Sequence, residues 1–151
     1  MQRAPERRSA ARRDNLGFLL AKTAQRWNEL LAERFAAAGY ADVRPSYGSL
    51  LVPLFEEDGL RIGELARRAR LSKQTLTTMV RLLERNGLVE RRDDPADARA
   101  QRIFLTKRAR DFEPTVEAIL AELDELVDAR LGTRAARALR QALSDLIDLD
   151  E

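Results

Sequence analysis

The chain has 151 residues, 44% hydrophobic and 34% charged with only 5% aromatic, which is enough apolar material for one soluble globular domain with a mainly aliphatic core. It contains no cysteine and no histidine, which excludes disulfides, thiol redox sensing, thiolate or imidazole metal sites and any Ser-His or Cys-His nucleophile. The net charge of +2 is unevenly spread: residues 1–59 carry +1, residues 60–108 carry +7 and residues 109–151 carry −6, the pattern of a polyanion-binding module set into a helical scaffold.

No Gly-rich phosphate loop is present, and only three lysines (Lys22, Lys73, Lys107) are available for amine chemistry. An enzyme is therefore not expected, nor is a cofactor or a metal. No stretch approaches the ~18 to 20 apolar residues of a membrane helix, so no membrane partner is expected and a cytoplasmic location is.

Residues 1–13 read as a flexible basic arm, with Arg3, Arg7, Arg8, Arg12 and Arg13. Asp14 is the expected cap of a long first helix in which Leu16, Leu20, Thr23, Trp27, Leu31 and Phe35 recur at helical spacing, with Gly39 as its stop. Pro45 suits the first turn of a second helix carrying Tyr47, Leu50, Leu51, Leu54 and Phe55, and Pro53 should kink or shorten it. After the polar break at Glu56–Gly59, residues 62–69 form a short helix with Ile62, Leu65, Ala66 and Ala69 inward. A tight turn at Arg70 and Leu71 follows, and Ser72 caps another helix with Leu76, Met79 or Val80, and Leu83 inward, ended by Asn86-Gly87.

Leu88–Arg92 and Arg102–Thr106 read as two short strands joined by a long polar loop over residues 93–101. Thr106 should cap the next helix, with a bend or restart at Pro114 and an apolar face of Val116, Ile119, Leu120, Leu123, Leu126 and Val127. Gly132 ends that helix and Thr133 is the expected cap of the last one, which carries Ala136, Leu139, Leu143, Leu146 and Ile147.

The segment with chemistry is Ile62–Thr106: two helices joined by a tight turn, then a hairpin. In the major groove of B-DNA only the outward side of a helix's first turns reaches base edges. With Leu76, Val80 and Leu83 inward, the outward set is Lys73, Gln74, Thr77, Thr78 and Arg81. Gln pairs bidentately with adenine, Lys or Arg with guanine, and Thr offers a hydroxyl or a methyl for thymine. Ser72 doubles as cap and phosphate contact at a helix N-terminus. The other reading of this set is a solvated helix face. Arg67, Arg68 and Arg70 suit surface charge better than base reading. Arg91, Arg92 and Arg102 flank the hairpin as candidate phosphate contacts or simple strand-face charges.

The same segment resembles the DNA-binding core of the MarR family of bacterial regulators. Leu82-Leu83-Glu84-Arg85-Asn86-Gly87-Leu88-Val89-Glu90-Arg91 is similar to that family's link from recognition helix to wing. Asp97-Ala98-Arg99, followed by Ile103-Phe104-Leu105-Thr106, is similar to its wing tip and returning strand. The likeness is specific over 62–106 and extends in layout over about 14–148. Ala109, where the family often has Gly, and the prolines at 53 and 114 depart from it.

The resemblance implies a mainly α fold with a small β-hairpin wing. A single domain over 14–151 would hold a winged helix-turn-helix lobe at 45–108, with helices at 14–38 and 109–149 forming a dimer. It implies that Arg99 enters the minor groove. It also implies a homodimer on double-stranded DNA, with a pseudo-palindromic operator whose half-sites lie about 10 bp apart. The implied function is a transcriptional regulator, by family habit a repressor. A small apolar or phenolic effector is a further candidate partner, with Trp27, Tyr47 and Phe55 as candidate pocket residues and ordinary core as the other reading of these rings. The competing function is a winged-helix protein-interaction module with little DNA sequence preference.

Overall fold

A computed structural model describes residues 13–150. The basic arm expected over residues 1–13 therefore lies, apart from Arg13, outside the described residues. The chain divides into two compact units, residues 1–49 and 50–151.

In the first unit, helix α1 (Leu16–Ala37) is capped by Asn15, whose side-chain oxygen accepts from the Phe18 N–H at 3.3 Å. The cap is thus not Asp14, which lies in the preceding turn: only the residue immediately before the first helical one has the extended backbone that brings its oxygen over the open N–H groups. The helix stops where expected. Gly39 takes φ 92°, and the Tyr40 N–H returns to the Phe35 carbonyl at 2.8 Å, closing a left-handed C-terminal cap. Pro45 opens a single 3-10 turn (Pro45–Tyr47) that passes directly into α2 (Gly48–Glu56). Leu31, Phe35, Val43 and Tyr47 are buried, whereas Leu16, Phe18, Leu19 and Leu20 at the start of α1 are exposed.

In the second unit, α2 continues through Pro53 and buries Leu50, Leu51 and Leu54. Strand β1 (Leu60–Arg61) leads into α3 (Ile62–Ala69), and α4 (Lys73–Arg85) follows the turn. Strands β2 (Val89–Asp94) and β3 (Asp97–Leu105) form the hairpin, and the antiparallel sheet has the order β1-β3-β2. The expected long loop over 93–101 is therefore replaced by strands that run to a two-residue turn at Pro95-Ala96. A wing open to solvent on both sides needs no apolar alternation, so its polarity mimics a loop. β1 was not expected: a two-residue strand has no period to detect.

Gly59, just before β1, has φ 71°, and a Cβ there would come within 2.7 Å of the Phe104 ring. Phe104 packs against this bare backbone, and the Arg92 guanidinium lies over the ring at 4.3 Å from its centre.

Helix α5 (Lys107–Leu131) is capped by Thr106, whose hydroxyl accepts from the Ala109 N–H at 3.3 Å. It runs unbroken through Pro114, against the expected bend or restart. Pro114 and Arg110 are exposed, so the one carbonyl left without its helical donor is open to water. Helix α6 (Thr133–Ile147) begins at Gly132, with Thr133 as its first residue and not its cap. Gly132 ends α5 and starts α6 at once (φ 85°, ψ 149°), leaving no position for a side-chain cap. Ile119, Leu123 and Ala136 are buried, while Leu126, Leu139, Leu143, Leu146 and Ile147 are exposed.

Candidate nucleic-acid interface

The α3–α4 pair is held by an aliphatic seam. Leu65, Ala66, Leu76, Val80 and Leu83 are all buried, with Ile62, Ala69 and Met79 half-buried at its edge. The turn between the helices depends on Arg70, the one non-glycine residue with positive φ (52°) among the described residues. That conformation costs an L-residue roughly 1 to 2 kcal/mol. The Arg70 side chain is itself engaged: it donates to the Ile147 carbonyl at 2.6 Å and pairs with Asp148 at the end of α6.

Ser72 sits at the N-cap of α4, and its hydroxyl oxygen accepts from the Thr75 N–H at 3.1 Å. Beyond it Lys73, Gln74, Thr78 and Arg81 are exposed and Thr77 half-exposed, the outward set expected from the sequence. Thr77 donates its hydroxyl proton to the Lys73 carbonyl at 2.8 Å, and Thr78 donates to the Gln74 carbonyl at 3.1 Å. What these two residues present outward is therefore a hydroxyl lone pair and a methyl, a surface suited to a base amino group or a thymine methyl.

Arg99 stands exposed on β3 near the wing tip, its backbone N–H held by the Asp97 carboxylate at 3.0 Å. Lys73 and Thr77 of α4, the first residues of α3, and Arg99 to Gln101 of the wing line one open cleft of about 550 Å³. The structure thus brings the start of α4 and the wing tip to the same cleft.

The cations of residues 60–108 fall into two sets. Arg67 and Arg68 both grip Glu64, at 2.6 and 2.9 Å, and Arg68 also holds Glu57 at 2.5 Å. Hydrogen bonds from Arg67 and then Arg68 lower the Glu64 pKa to about 2. Arg91 pairs with Glu84 at 2.5 Å, Arg92 with Glu90, and Arg102 with Asp94 at 3.3 Å. A phosphate contact from these last three would compete with an existing partner. Lys73, Arg81, Arg85 and Arg99, in contrast, have no ion-pair or side-chain hydrogen-bond partner among the described residues. Arg85 was not singled out in the sequence. Its position four residues beyond Arg81 continues the outward stripe of Gln74, Thr78 and Arg81, and that spacing is the signal that could have found it.

Of the candidate pocket aromatics, Tyr47 is buried and Trp27 and Phe55 are half-buried, as core rings commonly are.

Two helices packed across a tight turn, with a three-stranded sheet ending in a charged hairpin, define a winged helix-turn-helix protein. The model of the MarR family matches residues 45–100. The HTH-type transcriptional repressor Rv2887 of Mycobacterium tuberculosis is 33% identical over 93 residues, covering 62% of this chain and 67% of the repressor. The chain belongs to the MarR family. The HTH-type transcriptional regulator TtmR of Methylorubrum extorquens is 35% identical over 104 residues, 69% of this chain, and the match spans only about half (52%) of TtmR. Among solved structures, reduced AbfR bound to DNA is 27% identical with a TM-score of 0.63, covering 89% of this chain and 94% of AbfR.

Proposed function

We propose that this chain is a sequence-specific DNA-binding transcriptional regulator, a repressor that acts as a homodimer on a pseudo-palindromic operator. The observation that carries the reading is the segregation of charge. Within residues 60–108 the cations without a protein partner, Lys73, Arg81, Arg85 and Arg99, lie on the outward stripe of α4 and at the wing tip, and Lys73 and Arg99 line one cleft. An uncompensated cluster of this kind is what phosphate neutralisation and base-edge contact require. The solved complex of reduced AbfR with DNA supports it.

In this reading the lobe at 45–108 binds DNA, and the helices at 14–38 and 109–149 make the dimer. Ser72, Lys73 and Gln74 enter the major groove first, Thr77, Thr78 and Arg81 follow, and Arg99 enters the minor groove beside it. Arg85 meets the phosphate backbone. Release by a small apolar or phenolic effector completes the proposal, and such a ligand can shift operator affinity only by its preference for one dimer geometry over another. Among the described residues no helix is long and apolar enough to cross a membrane.

Selection of bound sequences from a random duplex library tests the reading. The expected product is an inverted repeat with half-sites about 10 bp apart. Enrichment of no sequence would instead favour a protein-interaction module.

A further inference from the structure

The most deeply buried ionisable group of the wing is not one of the arginines. The Asp94 side chain is 1% exposed at the end of β2, although Asp93 and residues 95–99 around it at the hairpin tip are exposed. One oxygen accepts from the Ala96 N–H at 2.9 Å and so closes the Pro95-Ala96 turn. The other accepts from Arg61 Nε at 2.6 Å and lies 3.3 Å from Arg102 Nε. Arg61 forms β1 and is the residue from which α3 starts, and Arg102 also donates to the Gly59 carbonyl at 3.0 Å. Asp94 therefore ties the wing turn and the returning strand to the base of the helix-turn-helix, 33 residues away in sequence.

The chain of constraint continues toward the exposed cation. Asp94 pairs in register with Asp97, and the Asp97 carboxylate holds the Arg99 N–H. A two-stranded hairpin alone is marginally stable, and its tip has no apolar packing to fix its direction. Fixed direction matters only if something at the tip must be aimed.

We propose that Asp94 is the positioning residue of the wing: by latching the hairpin turn to Arg61 and Arg102 it sets the reach of Arg99 across the cleft from α4, and with it the affinity for DNA. The inference rests on the DNA-binding reading given above. The latch is always charged at neutral pH, because the Ala96 N–H, then Arg61 and Arg102, lower the Asp94 pKa. It is thus a fixed brace and not a pH switch.

The test is a double-variant cycle on the full chain, using a duplex selected by the wild-type protein. Asp94→Asn keeps the shape and the turn acceptor but removes the charge from both arginines. Its affinity is expected to fall about tenfold, as is that of Arg99→Ala. The double variant should bind within about twofold of Arg99→Ala alone, since a misaimed wing has nothing left to lose once its cation is gone. Arg61→Gln provides the same break from the other side if Asp94→Asn does not fold, which far-UV circular dichroism checks, and it should show the same dependence on Arg99. Losses that multiply, or an Asp94→Asn variant with wild-type affinity, would overturn the positioning role while leaving the DNA-binding reading intact. A wild-type chain that selects no duplex would overturn both.

Discussion

The winged module buries its aliphatic side chains and exposes its charge, whereas the terminal helices leave aliphatic side chains in water. In the module, Leu65, Leu76, Val80, Leu83, Leu88 and Ile103 are fully buried, and what faces out is Lys73, Gln74, Arg81 and Arg99. On α6 the face that begins with buried Ala136 continues with Leu139, Leu143 and Leu146, the last two 37% and 39% exposed, and Ile147 beside them is 63% exposed. The start of α1 shows a similar run from Leu16 to Leu20. A monomer seldom leaves such continuous apolar stripes to solvent. In the proposed function the charged face of the module meets DNA, and the exposed stripe on α6 meets a second copy of the chain.

That contrast can be broken from either side. The largest effect is expected from Leu143→Glu, which places a charge in the apolar stripe without touching the DNA-facing module. Sedimentation should show a monomer. Loss of the linked second half-site should cost about 10²- to 10⁴-fold in operator affinity by gel shift. A Leu143→Glu chain that stays dimeric with full affinity would remove α6 from the interface.

Arg81→Ala comes next. Loss of a bidentate base contact is worth ~1 to 3 kcal/mol, roughly fivefold to 150-fold, and should relax preference at one base pair per half-site. Uniform weakening at all sequences would mean that Arg81 touches phosphate and not a base.

Glu64→Gln should have the smallest effect on stability. The Glu64 pKa falls from 4.5 to about 2 on folding, so its contribution is complete above pH 4.5 and is lost as the pH drops toward 2. The variant should flatten the acid limb of a denaturation profile slightly.

Much of the scaffold was legible because it rests on local rules. Helical periodicity gave α3 its bounds at residues 62–69, Ser72 announced the cap of α4, and Gly39 and Asn86-Gly87 marked the stops of α1 and α4. The outward set of α4 followed from its inward one. Errors arose where a local rule had two neighbours to choose from, as with Asp14 and Asn15, or none, as at Gly132. The wing was read too short because polar residues on both faces give a strand no period.

The division of arginines into paired and unpaired was not legible at all. Arg61 finds Asp94 33 positions away, Arg110 finds Asp58 52 away, and Arg70 finds Asp148 78 away. Only the folded chain shows which positive charges are already spoken for.

That division is also the most direct point of attack. Two variants with the same change in net charge can be compared on one selected duplex over a range of salt. In the first, Lys73, Arg81, Arg85 and Arg99 become Gln; in the second, the paired Arg67, Arg68, Arg92 and Arg110 become Gln. The first should lose specific binding, its salt slope falling by about 0.9 for each phosphate contact removed. The second should stay within about fivefold of wild type, as expected for charges already compensated at the surface. Equal losses in the two variants would show that net charge alone governs binding, and would contradict the assignment of the DNA-facing surface to the unpaired set.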